Sequence, residues 1–506
     1  MTNAVAAIWA HAAAAPDRPA VRTPEITWSY GELVRRSAAF ADRLARAGID
    51  AGDRVLLCAP TEPGFVAAYL GILARGAVAV TVNTQCAPAE LEYFLRDAGC
   101  ALAVAHAEVT GRLGPAAEAT GTPLWTLPLA EAPPGGDVLP AERADDDLAV
   151  LLYTSGTTGR PKGAMLGHGN LSAAADAYCG LLSITAEDRI GTALPLFHVF
   201  GQVGVLLTAL RAGAGMSLLR PFSAAGLLAM AAGHRLTMVS GVPTMWLEML
   251  HATTGVGREE LAGLRAACSG GAAMPLEVAR AFRDRFGPEI LDGYGLSETA
   301  SAGALRDPAW PAKEGSVGPA VPGLRLAILD DGGEPLPSGA VGEVAIHGPA
   351  VGQGYWGRPQ DTAEVLRDGW FRTGDLGRMD DEGYLWIVDR KKDMIIRGGY
   401  NVYPREVEEA LYEHPEVREA AVIGVPDPRL GEEVAAVLVV AGPVDPDGLR
   451  AWLEERLAVY KVPRLYHFVD ALPRGATGKL LKRDIDRSAV LTRARRAHRP
   501  ARPATN

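Results

Sequence analysis

The densest concentration of chemistry-bearing residues is Tyr153-Thr154-Ser155-Gly156-Thr157-Thr158-Gly159-Arg160-Pro161-Lys162-Gly163, directly after an apolar run that begins at Leu148. Its glycines let the backbone turn so that consecutive N–H groups converge. Its hydroxyls add donors and Lys162 adds a cation, a combination that suits a polyphosphate. It is not a Walker A loop, because no Gly-Lys-Ser/Thr follows Gly156 or Gly159 at the required spacing. A polar surface loop is the competing reading, but four hydroxyls, three glycines and a lysine in so short a stretch weigh against it. Lysine is scarce here: of 50 basic residues seven are lysine, leaving 50 − 7 = 43 arginines, so each lysine position was not freely interchangeable with arginine.

Three further segments carry similar signals. In Asp292-Gly293-Tyr294-Gly295-Leu296-Ser297-Glu298-Thr299, glycines flank an aromatic so that a flat ring can approach backbone. There the Ser297 hydroxyl beside the Glu298 carboxylate suits a phosphate oxygen with its Mg²⁺. Trp370-Phe371-Arg372-Thr373-Gly374-Asp375, with Asp389-Arg390 further on, offers a carboxylate for both hydroxyls of a ribose and a guanidinium to brace it. Pro473-Arg474-Gly475-Ala476-Thr477-Gly478-Lys479 is a flexible loop ending in another of the scarce lysines.

These segments need elements to hold them. Residues 27–48 read as a short strand and an amphipathic helix, and Val55–Cys58 and Val78–Val82 as strands separated by a helix over Gly64–Arg75. The alternation implies buried, largely parallel sheets, and it repeats with strands near residues 148–153, 189–195 and 237–242. From about Val317 the texture changes to strands over residues 324–329, 342–347 and 384–388 joined by tight turns, an antiparallel β subdomain. After Asp389-Arg390-Lys391-Lys392-Asp393 comes a compact α+β piece of about one hundred residues. In it Pro404 opens a helix, strands run over residues 417–425 and 434–440, and a helix follows over 447–457. Residues 491–506, with Arg493, Arg495, Arg496, Arg499 and Arg502, read as a disordered basic tail.

Composition removes several function classes. At 506 residues the chain has room for about three structural units. With 48% hydrophobic and 22% charged residues it is neither disordered nor fibrous. A formal charge of 50 − 60 = −10 argues against a nucleic-acid partner. Arg75 and Arg211 interrupt the longest apolar stretches, so no membrane anchor is expected. The N-terminus lacks a basic n-region, and a cytoplasmic protein is expected. Cys58, Cys86, Cys100, Cys179 and Cys268 are odd in number and scattered, as suits buried thiols rather than disulfides or zinc ligands.

Taken together and in this order, the four segments resemble the adenylate-forming superfamily of acyl-CoA synthetases, luciferases and nonribosomal adenylation domains, over about residues 20–486. The resemblance implies an α/β fold. Residues 1–390 would be a large N-terminal domain of stacked mixed sheets with helices, including a β subdomain over about 317–390, and residues 391–490 a small mobile α+β C-terminal domain. It implies ATP, Mg²⁺ and CoA as co-substrates or cofactors. Thr154, Ser155, Gly156, Thr157, Thr158, Gly159 and Lys162 would hold the ATP phosphates. Gly270, Gly271 and Ala272 would line adenine and the acyl pocket, with Asp292, Gly293, Tyr294 and Gly295 near the base and Ser297 on the α-phosphate. Glu298, with Thr154, would bind the metal, and Asp375 and Arg390 the ribose. Lys479 would be the catalytic lysine that bridges carboxylate and α-phosphate, a fit role for a mobile cation where charge gathers on oxygens. His198, in Leu194-Pro195-Leu196-Phe197-His198-Val199-Phe200-Gly201, would border and gate the acyl site. Val242, Trp246, Gly270, Gly271 and Gly293 would line it. After the first half-reaction the C-terminal domain would rotate about Lys392, bringing Arg397, Gly398, Gly399 and Tyr400 to the pantetheine arm.

The expected substrate is a hydrophobic, long-chain or bulky monocarboxylic acid or its acyl-adenylate. No arginine follows Pro243, where dicarboxylate-specific relatives hold a second carboxylate, and Phe222 is followed by Ser223 rather than the Asp that binds an α-amine. No surplus segment obstructs rotation, which favours CoA over a carrier protein. Loading of a carrier protein, thioesterification of an adenylate made elsewhere, luciferase-type oxidation and a non-catalytic nucleotide-binding scaffold remain the other readings; so does the oligomeric state, a homodimer included. One departure stands out. The exit from the phosphate segment reads Gly163-Ala164-Met165-Leu166-Gly167-His168-Gly169-Asn170, which implies a loose junction whose preorganisation would improve if bulk were restored at Ala164 and Gly167.

Overall fold

The structure, a computed structural model, describes residues 3–127, 138–154, 160–475 and 480–497. It divides into two compact units, one of residues 1–273, 281–326 and 345–373, the other of residues 274–280, 327–344 and 374–506.

In the first unit the strands run β1 (Pro19–Arg22), β2 (Thr27–Ser29), β3 (Arg54–Cys58), β4 (Val78–Thr81), β5 (Leu102–His106), β6 (Leu124–Leu127), β7 (Leu148–Thr154), β8 (Lys162–Gly167), β9 (Arg189–Thr192), β10 (Gly215–Leu218), β11 (Met238–Gly241), β12 (Ala266–Ser269) and β13 (Ile290–Asp292). They form two sheets, ordered β6-β5-β3-β4-β7-β8 and β13-β12-β11-β9-β10-β1-β2. All pairings are parallel except β7 with β8 and β1 with β2. The short apolar strands explain this: β4, β11 and β12 are buried at every residue, and a strand covered on both faces suits a sheet with helices on its faces. The helix Pro63–Arg75 that crosses from β3 to β4 starts with proline in its first turn and stops at Gly76 in the left-handed region (φ +78°). The helix Tyr30–Arg46 is capped by Ser29, whose hydroxyl accepts the Glu32 N–H.

The chain then forms β14 (Tyr294–Gly295) and β15 (Gly303–Ala304), an antiparallel pair. It continues through β16 (Arg325–Leu329), β17 (Gly342–His347), β18 (Leu366–Arg367), β19 (Trp370–Met379) and β20 (Leu385–Arg390). It passes from one unit to the other within β16, β17 and β19. β19 pairs antiparallel with β18 through its first residues and with β20 from Asp375 on.

The second unit is completed by β21 (Ile395–Arg397), β22 (Tyr400–Val402), β23 (Val417–Asp427), β24 (Gly431–Val440), β25 (Leu465–Phe468) and β26 (Arg495–Arg496) in one sheet, ordered β22-β21-β24-β25-β26 with β23 on β24. Side chains alternate across it. Val422, Val434, Ala436 and Leu438 join Val407, Leu411, Leu449 and Leu453 of the helices Pro404–Tyr412 and Pro446–Glu454, whereas Ala421, Ile423, Ala435 and Val437 form a second cluster with Leu472, Ile485 and Val490. The period of two thus builds two apolar layers from one pair of strands.

Up to residue 497 the expected tail is folded instead. Residues 487–493 form a helix capped by Asp486, which accepts the Ser488 and Ala489 N–H groups, and β26 pairs with β25. Val490 and Ala497 are buried, and these contacts hold Arg495 and Arg496 in the sheet. Residues 498–506 lie outside the described residues. No helix among the described residues is long and apolar enough to cross a membrane, and all five cysteines are free thiols.

Candidate active site

In the first unit the phosphate segment is strung between two antiparallel strands: β7 enters it, β8 leaves it, and Thr154 lies opposite Lys162 in the register. Ser155, Gly156, Thr157, Thr158 and Gly159 fall outside the described residues, so the structure places the two ends of the loop. At the far end Tyr93 Oη donates to the Pro161 carbonyl at 2.8 Å, and the Arg160 guanidinium lies 5.6 Å from the Tyr93 ring centre.

Two distant stretches, one at Glu298 and one over residues 355–361, converge on these ends. Lys162 Nζ donates to Asp361 Oδ1 at 2.6 Å and sits 5.4 Å from the centre of the Tyr355 ring. Tyr355 Oη donates to Glu298 Oε1 at 2.8 Å, and Thr154 Oγ1 lies 3.5 Å from the same oxygen. Burial, and then the Glu298 carboxylate, push the Tyr355 phenol far above its ordinary pKa, so it stays a donor at neutral pH. Hard oxygen donors with a single carboxylate suit a Mg²⁺ ion, which keeps most of its coordination for water and nucleotide phosphate.

Glu298 is displayed by a tight local structure. A β-carbon at Gly295 would lie 1.8 Å from the Ser301 carbonyl oxygen, so only glycine fits. Ser297–Thr299 make a single 3₁₀ turn, followed by Ala300 (φ +50°) and Ser301 (φ +73°), two successive non-glycine residues in the left-handed region. Such conformations persist only where surroundings hold them. Here the Leu296 N–H donates to Thr299 Oγ1 at 3.2 Å, the Gly352 N–H to the Glu298 carbonyl at 2.8 Å, and Tyr178 Oη to the Ser301 carbonyl at 2.7 Å.

Behind this turn lies a cleft of about 670 Å³, its open mouth included. Of the residues expected around base and acyl group, His198, Gly270, Gly271, Gly293, Tyr294 and Gly295 line it. Asp292 ends β13 just before them, and Ala272 follows Gly271 at the end of the turn after β12. Phe200, Gly204 and Thr208 complete one wall; the first two belong to a π-helical stretch, Phe200–Leu207, an uncommon geometry often found at functional sites. The described residues that line the cleft include no Arg, Lys, Asp or Glu.

Two expectations are corrected here. Trp246 does not line the cleft. It is fully buried with its ring edge-on to Phe282 at 5.1 Å, because the helix Pro243–His251 turns that face into the core. Val242 stands beside the lining residue Gly271, its Cγ1 3.7 Å from where a β-carbon there would be. Nor is the exit from the phosphate segment loose: β8 runs straight into the helix His168–Leu181. A β-carbon at Gly167 would meet the Asp145 carbonyl oxygen at 2.6 Å and Gln353 Nε2 at 2.9 Å, so the glycine marks a tight junction that added bulk would break.

In the second unit Asp375 and Arg390 face each other across β19 and β20, with Arg390 Nε 3.3 Å from Asp375 Oδ1. Lys392 is exposed in the turn that follows β20. Gly398 and Gly399 both take positive φ (59° and 86°), and Tyr400, 61% exposed, stacks on Tyr460 at 4.9 Å. Arg397 turns the other way: it is buried, donating to Glu433 at 2.7 Å and to the Tyr460 and Val462 carbonyls. Its side chain belongs to the interior of the unit, whereas Ile396, Gly398, Gly399, Tyr400 and Asn401 of this hairpin are exposed. Lys479 lies outside the described residues.

Sequence reading missed Tyr355 and Asp361. Their only local signal is the Gly352-Gln353-Gly354-Tyr355-Trp356-Gly357 stretch and the Pro359 that opens the short helix Pro359–Val365. It also passed over Tyr178, Thr208 and Cys268, which reach the cleft from helix and strand interiors.

A segment rich in glycine and hydroxyls between two antiparallel strands, a carboxylate fixed by two hydroxyls and an apolar cleft are features that an adenylate-forming enzyme needs. Residues 8–356 match the AMP-binding enzyme family and residues 406–479 the AMP-binding enzyme C-terminal domain, and the chain belongs to this family. It is similar to a feruloyl-CoA synthase of Amycolatopsis sp, 41% identical over 480 residues that cover 93% of this chain and 96% of the relative. It is also similar to a long-chain-fatty-acid–CoA ligase of Bacillus subtilis (strain 168), 35% identical over 93% of this chain and 92% of the relative. Among solved structures, ATP-bound MatB from Rhodopseudomonas palustris superposes with a TM-score of 0.89 at 33% identity, over 97% of this chain and 99% of that one. The protein is an AMP-forming acyl-CoA synthetase: an acid–thiol ligase that works through an acyl-adenylate.

Proposed function

We propose that this ligase activates a hydrophobic monocarboxylic acid, long-chain or bulky, and transfers its acyl group to CoA in the cytoplasm. The observation that carries the reading is the cleft of the first unit, apolar over most of its wall and lined, among the described residues, by no ionised side chain of fixed charge. A second carboxylate or an ammonium would be desolvated there without a partner, at a cost of several kcal/mol (about 2–7 for even a neutral polar group). The glycines at 270, 271 and 293 leave room beside the ring of Phe200 for a wide substrate.

In this reading the segment Thr154–Lys162 receives the β- and γ-phosphates, and the ammonium of Lys162 exchanges its Asp361 partner for phosphate oxygens. Tyr355 and Thr154 fix the Glu298 carboxylate, which with the Thr154 hydroxyl would hold Mg²⁺; the ion supplies neutralisation of phosphate charge. Tyr294 lies against the base, Ser297 donates to the α-phosphate, and Asp375, braced by Arg390, accepts from the ribose hydroxyls. The substrate carboxylate then attacks the α-phosphorus and pyrophosphate leaves, with Lys479 neutralising the oxygens on which charge gathers. The thiolate of CoA next attacks the acyl carbon and AMP departs. Rotation about Lys392 separates the two steps, withdrawing Lys479 and presenting Gly398, Gly399 and Tyr400 to the pantetheine arm, while His198 borders the acyl carbon.

The test is ATP–pyrophosphate exchange over fatty, aryl and polycyclic acids, run beside thioester formation from synthetic acyl-adenylates. Exchange is expected with one hydrophobic class and none with dicarboxylates. Lys479→Ala should abolish exchange and largely spare thioester formation. Equal loss of both steps would remove the division of labour, and thioester formation without exchange by the unaltered enzyme would make it a ligase that depends on adenylate made elsewhere.

A further inference from the structure

We propose that Lys482 is a positioning residue that ties the stem around Arg474 and Leu480 to the helix Pro404–Tyr412, which Asp389 fastens to the hinge, and that this tie supports adenylation selectively. The inference rests on the role proposed above for Lys479.

The stem is built from described residues on both sides of the loop. Arg474 and Leu480 form an antiparallel bridge, the Leu481 N–H donates to the Pro473 carbonyl at 2.9 Å, and Arg474 pairs with Glu419 at 2.9 Å. Lys482 follows at once, opening the 3₁₀ turn Lys482–Asp484. Its side chain does not point to water as a surface lysine's would. It is about four-fifths covered, and Nζ lies 2.7 Å from Glu408 Oε1, an oxygen that also accepts the Val422 N–H at 2.7 Å.

The hinge side is equally fixed. Asp389 is buried, its two oxygens taking the N–H groups of Arg390 at 2.7 Å and Arg405 at 2.9 Å, so this carboxylate joins the end of β20 to the first turn of the helix Pro404–Tyr412. The same helix carries Glu408. Burial works against the Lys482 charge, but Glu408 first, then Asp389 and Asp393, outweigh it and hold the ammonium's pKa above its ordinary value. The cation thus grips the helix whose first turn Asp389 fastens to the end of β20, and the stem is joined to the hinge through that helix. Of seven lysines in an arginine-rich chain, two stand three residues apart here, at 479 and 482. An ammonium on a flexible stem reaches a single buried carboxylate oxygen, a job for which the planar arginine fork is less suited.

Removing one partner of such a pair leaves the other charge buried and unpaired, so the loss falls on the stem and hinge together. The experiment compares Lys482→Met, Lys482→Arg, Glu408→Gln and Lys479→Ala in the full-length enzyme, measuring pyrophosphate exchange and thioester formation from a synthetic adenylate separately. Lys482→Met should lower exchange by about tenfold or more, mainly in kcat, and leave thioester formation within about twofold. Lys482→Arg, which keeps the charge but fits the single oxygen less well, should recover the exchange only in part, and Glu408→Gln combined with Lys482→Met should lose little beyond the single change. Exchange at the unaltered rate in Lys482→Met, while Lys479→Ala has lost it, overturns the tie. Parallel loss of both half-reactions in Lys482→Met also overturns it, since that marks a general structural role. Unimpaired exchange in Lys479→Ala overturns instead the role of Lys479 on which the inference rests.

Discussion

Glu298 shows how much a single carboxylate depends on residues that chain order does not bring near. Its Oε1 is fixed by Tyr355, 57 positions away, and Lys162 is held by Asp361, 199 positions away. A hydrogen bond to an ionised group contributes about 1.5–3 kcal/mol, so Tyr355→Phe should lower kcat/KM for ATP at fixed Mg²⁺ by about tenfold or more. Titrating ATP at several Mg²⁺ concentrations checks this: the variant should need more of the metal, and an unchanged requirement would leave Tyr355 a packing residue. The glycines, hydroxyls and lysine of the phosphate segment were legible because that chemistry is local, needing consecutive backbone groups and little else. Tyr355 and Asp361 were not, since a tyrosine and an aspartate carry no signal until folding supplies their partners.

At the scale of elements, the junction between β8 and the helix His168–Leu181 decides how rigidly the phosphate segment is mounted. His168 is fully buried, its Nδ1 accepting the Ala4 N–H at 3.1 Å, and the charged groups around it are Arg143 and Asp147. Burial, with Arg143 adding and Asp147 opposing, lowers its pKa from 6.5 to about 4. The unfolded chain therefore binds a proton that the folded one refuses between those values. Stability is complete above pH 6.5 and falls as the pH drops towards 4, by on the order of 3 kcal/mol. Urea unfolding at pH 7.5 and pH 5 should show the loss in the native enzyme and a clearly smaller one in His168→Gln. Equal losses would place the acid sensitivity elsewhere. The strands that the sequence named lie within a few residues of their places, because runs such as Val78–Thr81 are apolar at all but the last position, whereas β5, β6, β10, β12 and β13 were passed over. The π-helical stretch Phe200–Leu207 and the buried orientation of Trp246 were not, because hydrophobicity alone does not separate a residue that lines a cleft from one that fills a core.

For the whole molecule, the division into two units sets which perturbations stay local. Arg397 and Glu433 form a buried pair inside the second unit, with the guanidinium also satisfying two carbonyls. Arg397→Ala leaves Glu433 buried with the more exposed Arg464 as its remaining ionic partner, and should destabilise that unit by about 3–5 kcal/mol. Hydrogen exchange should then accelerate in β23 and β24 while the amides of β3, β4 and β7 keep their protection. Acceleration in both units would mean that they unfold as one.

The sequence by itself determined the family and the alternation of strands and helices, because each depends on residue types at short, fixed spacing. Only the tertiary structure decided that Arg397 turns inward, that Gly167 is a close contact rather than a slack joint, that Arg495 and Arg496 join a sheet and that Lys482 pairs with Glu408. Those outcomes depend on which surfaces are buried against which, and burial is a property of the packed chain and of no single stretch of it.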